Sequence, residues 1–509
     1  MVEIEINTDH PKIMNKRLMF FLIFIISTQV IFPASPTTQF KKLSSGITVI
    51  LNADYPDPTI VKDGDDYYMT NSSLDNYPGL LIWHSQNLVD WTRLTYALHK
   101  DVGVVWAPDM IKYNGLFYIY FPAEAYIYVI TAKKPAGPWS DPKKIDGIRG
   151  IDPGHLVGRD GKRYLYLNDG RIVPLTPDGL SVSGSDMKIY DGWTFSDSYG
   201  VECFCLESPK SLFYNDYFYM VSAEGGTSGP ATSHMAVVAR SKSEFGPYIN
   251  SPYNPLIKTW RANEQWRSKG HATIFEGPQG KLYALYHAYE NGHLPMGRGT
   301  LIEPILFTKD GWFKSALKNP EKAESFFTHN VRPVNDDFSN YKLNLQWAFS
   351  DVNTYQSSQL NDGQLVMQCD NKKEIGLFVK MCDKNFEAQF KIVPDIDLEV
   401  GLVIYYSSMY YAGMKMKNGK LWGVYKNNKQ FGDMKEAINA MYFKINVQNY
   451  TVNVSSSIDG KLWIPYPNAY DVSGYQANVL GDYSALKIAV LGKGNGKVLI
   501  DDFKYKVLE

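Results

Sequence analysis

Three acids, a tryptophan and a histidine stand at equivalent places in five copies of one short pattern: Asp57, Trp106, Asp152, Glu207 and His271. Each opens an apolar run, followed by a polar turn and a second run rich in aromatics: DPTIVKDGDDYYM, WAPDMIKYNGLFYIY, DPGHLVGRDGKRYLYL, ESPKSLFYNDYFYM and HATIFEGPQGKLYALY. Counted to the equivalent tyrosines (Tyr68, Tyr118, Tyr164, Tyr219 and Tyr283), the separation is twelve residues in four copies and eleven in one. A repeat kept only for packing tends to keep one residue type at an equivalent place. Carboxyl groups brought together this way suit glycoside hydrolysis, in which one carboxyl protonates the leaving oxygen and the other attacks or activates water. A third acid beside the donor disfavours its ionisation and holds its pKa up.

For these side chains to meet, the repeats must be arranged around an axis. The equivalent tyrosines step by about 50 residues, the length of a four-stranded propeller blade. Further strand-like runs fall between the hairpins: LLIWHSQNLVDWTRL, YIYVITAKKPAGPWS and MAVVARSKSEFGPY. The chain is therefore read as all-β, with a five-bladed β-propeller over residues 45–317 and the five opening residues at one rim of its channel. Residues 318–335 read as a charged linker with a short helix at Pro320–Phe327, and 336–509 as a β-sandwich of about eleven strands. Lys16-Arg17 followed by the apolar run Leu18–Phe32 reads as a signal peptide within residues 1–35, with an uncertain cleavage site. A secreted or periplasmic protein with no stable membrane span in the mature chain is expected.

Composition narrows the partners. Aromatic residues make up 14% of the chain, including 36 Tyr, which suits strands and sugar-stacking clefts. A formal net charge of −1 gives no reason to expect nucleic acid as a partner. Of the four cysteines, Cys203 and Cys205 are too far apart to bridge in an extended strand. Cys369 and Cys382 either bridge a strand pair or, like the others, remain buried thiols.

The sequence resembles glycoside hydrolase family 43 over residues from about 50 to 315. The resemblance rests on Asn52-Ala53-Asp54-Tyr55-Pro56-Asp57-Pro58, Trp106-Ala107-Pro108-Asp109, Ile151-Asp152-Pro153, Glu207-Ser208-Pro209, Gly270-His271, Gly297-Arg298 and the Ala223–Thr227 loop. It implies that Asp57 is the general base, Glu207 the general acid and Asp152 the residue that tunes and orients the acid. It further implies substrate contacts from Trp106 and Arg298, and a place for His271 at the channel centre. No cofactor is required, although relatives often hold a structural calcium ion beside that histidine. The C-terminal region resembles the concanavalin-like sandwich of β-xylosidase-type members, from which an aromatic side chain can narrow the pocket.

Within the repeat, Glu202 is a rival to Glu207 as the acid, Asp109 reads as a turn acid, and His287 as a supporting residue. Trp83 and His84 lie on a strand with a chance of reaching the pocket. Gly154-His155-Leu156 departs from the family pattern in a stretch expected to wall the sugar site, which keeps a galactose-type sugar open. The expected activity is inverting hydrolysis of plant-type oligo- or polysaccharide, as β-xylosidase or α-L-arabinofuranosidase. Galactose-type hydrolases and arabinanases are the enzyme alternatives. A non-catalytic carbohydrate-binding protein is the alternative of another class.

Overall fold

The computed structural model describes Leu43 and residues 45–509, apart from 371, 427–428 and 437–440. The expected signal peptide lies outside the described residues. Four sheets of the propeller follow in chain order, each led by the strand after a repeat's opening residues. The first runs Thr59–Asp63, Asp66–Thr70, Gly79–Ser85 and Thr92–Leu98, and the second Asp109–Tyr113, Leu116–Ala123, Tyr126–Ala132 and Lys143–Arg149. The third spans Gly154–Val157 to Met187–Lys188, and the fourth Glu207–Tyr214 to Ile257–Lys258.

The fifth blade is assembled from distant segments. Trp266–Glu276, Leu282–Glu290 and Arg298–Phe307 are joined by the early strand Ile47–Leu51, antiparallel to Arg298–Phe307. Ser325–Phe327 then pairs parallel with Ile47–Leu51. Blades pack face to face, so a strand in the middle of a blade is buried on both sides. Gly79–Ser85, for example, is buried at every position but His84. The repeat's polar turns close these hairpins: Asn114 and Gly115 both take positive φ (48° and 77°), as a tight I′ turn requires.

The C-terminal region is a sandwich of a seven-stranded and an eight-stranded sheet around a core that includes Phe338, Trp347, Phe386, Phe390 and Phe503. Alternation along Asn385–Pro394 places Phe386, Ala388, Phe390 and Ile392 inward. The sandwich is fixed to the propeller. Tyr77 and Phe349 exchange backbone hydrogen bonds, Lys487 Nζ donates to Asp75 Oδ1 at 3.0 Å, and Lys380 Nζ donates to the Asp54 carbonyl.

Several expectations are corrected here. The helix expected at Pro320–Phe327 is a single 3-10 turn, Pro320–Lys322, followed by the strand Ser325–Phe327. Proline at the first helical position signalled a start, but an edge of the fifth blade captured the Ser-Phe-Phe run. Cys203 and Cys205 form a disulfide with Cα atoms 5.4 Å apart. The segment is not an extended strand: Cys205 takes a φ of 44° and folds the chain back. Cys369 and Cys382 are buried thiols. Trp83 is fully buried within its blade and His84 pairs with Asp66 on the blade surface, so neither reaches the pocket. Asp109 does not sit in a turn. It accepts hydrogen bonds from His155 N (2.7 Å), Lys210 Nζ (3.1 Å) and Thr59 Oγ1 (3.3 Å), tying four blades together near the axis.

Candidate active site

Asp57, Asp152, Glu207, Trp106, His271 and Arg298 all line one cavity of about 250 Å³. It is small beside the roughly 300–1,000 Å³ of typical ligand pockets, which suits one sugar unit rather than a length of polymer. Leu74, Ala107, Ile151, Glu202, Cys205, Gly226, Thr227, His287 and Tyr483 complete the wall. The repeat register carries a backbone signature as well. Asp57, Asp152 and His271 take φ values of 56°, 54° and 57°, and Ser208, directly after Glu207, takes 53°. Non-glycine residues in this region are uncommon, with Asp and His among the better tolerated, and such strain concentrates at functional sites.

His271 sits among the acids. Its Nε2 lies 3.1 Å from Asp152 Oδ2 and 3.9 Å from Glu207 Oε1, and its Nδ1 lies 3.7 Å from Asp57 Oδ1. Burial opposes protonation of this ring, but Asp57, Asp152 and Glu207 outweigh it and push the imidazole up to about 9. The surrounding acids thus favour the protonated ring.

The two outer carboxyls are driven apart. For Asp57, burial would raise the pKa, yet the Arg298 guanidinium, His271 and the bond to His287 hold it well below the usual range. Its Oδ2 accepts from Ser72 Oγ at 2.5 Å, and its Oδ1 lies 2.9 Å from His287 Nδ1 and 3.4 Å from Arg298 Nη1. Burial keeps His287 neutral, down to about 4. The Asp57 N–H donates to the ring's Nδ1 at 3.2 Å, and the ring's Nε2 lies 3.1 Å from Thr227 Oγ1. Glu207 moves the other way, pushed up to about 8 by burial and by the negative charge of Asp152. Asp152 is held by the Ser208 N–H (3.1 Å) and by His271. An ionised carboxylate and a protonated carboxyl group facing one pocket are the assignments a base and an acid need.

Three features were not readable beforehand. Tyr483, from the sandwich, reaches the pocket and lies 5.3 Å from the Arg298 guanidinium across its ring face. Its sequence context, Gly481-Asp482-Tyr483-Ser484, carries no signal of this. His234 stacks on His287 at 5.2 Å and on His271 at 6.0 Å, forming a buried pile of imidazoles. This explains the glycine of Gly270-His271: a Cβ there would lie 2.0 Å from His234 Cδ2. Third, the Gly154-His155-Leu156 departure does not wall the sugar site. His155 is buried within the blades, stacked on Tyr120 at 5.7 Å and accepting from Arg163 Nε at 3.0 Å.

Asp152, Glu207 and His271 offer one atom each within 4.8 Å of one another, the grouping that a calcium ion beside His271 would meet. Calcium takes six to eight oxygen ligands. This trio would offer such an ion two carboxyl groups and one ring nitrogen, so further oxygens, from water, would have to complete its shell. Replacing His271 by Gln is expected to lower turnover and move the alkaline limb of the pH profile upward, because the imidazolium otherwise favours the ionised form of Glu207. A profile of unchanged shape would show that the ring does not face the acids in solution.

The family profile Glycosyl hydrolases family 43 matches residues 48–313, more than half of the chain, and Beta xylosidase C-terminal Concanavalin A-like domain matches residues 335–505. The chain belongs to glycosyl hydrolase family 43. It is similar to a non-reducing end α-L-arabinofuranosidase of Bacteroides ovatus, 30% identical over 331 residues, 59% of this chain and 60% of that enzyme. A xylan 1,3-β-xylosidase of a Vibrio species is 26% identical over 491 residues, 81% of this chain and 89% of that one. The crystal structure of a family 43 protein from Bacillus licheniformis superposes with a TM-score of 0.79 at 25% identity, covering 91% of this chain and all of that one.

Proposed function

We propose that this protein is an exported glycosidase that removes single β-xylosyl or α-L-arabinofuranosyl units from the ends of plant-type oligo- and polysaccharides, with inversion. The observation that carries the reading is the disposition of Asp57 and Glu207 on opposite edges of the His271 ring, 3.7 Å and 3.9 Å from it. An inverting pair stands roughly 6.5–9.5 Å apart, which lets a water fit between base and sugar. In this reading Asp57 takes a proton from water, which attacks the anomeric carbon as Glu207 protonates the departing oxygen. Asp152 holds the proton on Glu207, and Arg298 and Trp106 seat the sugar.

The small cavity supports release of one unit at a time, and the relatives' names support the choice of sugars. The apolar Leu18–Phe32 run supports export, as does the Cys203–Cys205 disulfide, since such bonds persist in oxidising compartments. The reaction as written uses only carboxyl groups and water, so dialysis against a chelator is expected to leave turnover unchanged.

The test is a panel of nitrophenyl glycosides, with the anomer of the first product read by NMR. Hydrolysis of the β-xyloside or the α-L-arabinofuranoside with inverted product is expected, and a retained anomer would falsify the roles given to Asp57 and Glu207. The pH profile of kcat/KM should fall as pH rises through about 8, where Glu207 loses its proton. The acid limb should lie well below the usual carboxylate range, because Asp57 is held ionised there.

Tyr483→Ala in the full chain is expected to raise KM by roughly twofold to fivefold, the worth of one cation–π contact at an exposed ring, because it frees the Arg298 side chain that faces the sugar. An unchanged KM would mean that the sandwich only braces the propeller.

A further inference from the structure

We infer that the loop leading into Glu207 forms a second carbohydrate site, which holds the sugar chain on the leaving-group side of the bond being cut. The inference rests on the glycosidase reading above, because only the position of the acid fixes which side that is. Residues 191–206 connect the outermost strand of the third blade to Glu207 and carry Trp193, Phe195, Tyr199 and Phe204. Their rings run on from one another: Phe204 to Phe195 at 6.0 Å, Phe195 to Tyr199 at 6.5 Å, and Tyr199 to Trp260, from the segment after the fourth blade, at 6.1 Å. Both ends of the string reach solvent. Phe204 is 44% exposed and Trp260 43% exposed. Aromatic faces left open in sequence are suited to the C–H faces of pyranose rings, which pack against π-systems while their hydroxyls stay in water.

The string is continuous with the pocket. Cys205 and Glu202, from the same loop, line the cavity beside Glu207. Glu202 is pressed against the backbone of the Gly226–Gly229 turn, where a Cβ on Gly226 would lie 1.5 Å from its Oε1 and one on Gly229 would lie 1.7 Å from its Oε2. This carboxyl is no rival for the acid's duty, since Glu207 faces His271 and Asp152. Its place at the rim gives a hydroxyl-binding group between the cavity and the rings.

The loop is also held in shape. The Cys203–Cys205 disulfide closes it around Phe204. Glu224, wholly buried, accepts the Trp193 N–H at 2.6 Å. Thr232 Oγ1 donates to the Gly200 carbonyl at 3.0 Å, and Lys258 Nζ sits 4.4 Å from the Tyr199 ring centre. A loop anchored at this many points presents its aromatics at little entropic cost. The occupant is the continuing backbone of a pyranose polysaccharide, two or more units beyond the scissile bond.

The test is kinetic and uses the whole protein. For the wild type, kcat/KM is expected to rise from the disaccharide to the tetra- and pentasaccharide of the same linkage. In Trp260→Ala and Phe204→Ala the ratio of pentasaccharide to disaccharide should fall about threefold to tenfold per ring removed, while Trp260→Tyr, which keeps a ring, should retain most of it. Titrating Asp57→Asn with the pentasaccharide should shift the tryptophan fluorescence, and the added Trp260→Ala change should weaken that binding. A wild-type series with no dependence on chain length, on an enzyme that does cut the disaccharide, overturns this inference and leaves the glycosidase reading standing. Failure to cut any glycoside overturns both.

Discussion

Glu207→Gln is expected to slow the hydrolysis of xylo- or arabino-oligosaccharides by about 10²–10⁴-fold, the usual worth of a positioned general acid. The same variant should lose far less on an aryl glycoside bearing a strongly acidic phenol, which departs without help. The amide preserves the shape of the side chain, so folding should be unaffected. It removes both the proton and the titration: burial and Asp152 push the native carboxyl up to about 8, and the alkaline limb seen with natural sugars should be missing from the residual activity on activated ones. The competing acid is testable in parallel. Glu202 lies in the pocket wall but outside the group formed by His271 and Asp152. Glu202→Gln should therefore retain the leaving-group independence of the wild type. Loss of natural-sugar turnover in Glu202→Gln, with Glu207→Gln fully active, would reverse the assignment.

Asp57→Asn should reduce turnover by a similar factor, about 10²–10⁴-fold, but on every substrate alike. Water must be activated whether the leaving group is good or poor. The change also discards the partner of three groups at once, since Arg298, His287 and Ser72 all address this carboxyl. A buried guanidinium left without its carboxylate is costly, so some loss of melting temperature should accompany the loss of rate. Added azide or formate offers a check. If Asp57 activates water, a small anion should replace it and restore turnover on the activated glycoside. A variant whose rate falls only on poor leaving groups would place Asp57 in the wrong role.

The propeller was legible because its repeat is regular at the level of single residues. Each copy keeps the apolar run, the polar turn and a tyrosine eleven or twelve residues on, so equivalent places are places around one axis. The acids followed from the same register, and the positive φ shared by Asp57, Asp152 and His271 shows a local reason why Asp and His recur there. Contacts made across long sequence distances were not legible. Tyr483 reaches Arg298 from the other end of the chain, and nothing in its neighbours encodes that approach. His234 was passed over because a stacked imidazole core has no spacing rule. The Cys203–Cys205 pair was misjudged because strand geometry was assumed where the chain turns back on a left-handed residue. His155 was misplaced because an unusual residue in a motif was taken to face substrate, when it fills space between blades.

The fifth blade decides when the protein becomes an enzyme. Four blades are built from neighbouring segments and can order as they leave the ribosome. The last sheet needs Ile47–Leu51 to meet Arg298–Phe307 and then Ser325–Phe327. At roughly 5–20 residues per second, the early strand waits tens of seconds for its partners. During that wait it is an apolar edge without a neighbour, the kind of segment that pairs with the wrong chain. His271, His287 and Arg298 all lie on the strands of this closing sheet. The group that ionises Asp57 and the cation that sits among the acids thus belong to the sheet that closes the ring. Catalysis therefore depends on the one blade that the two ends of the propeller share.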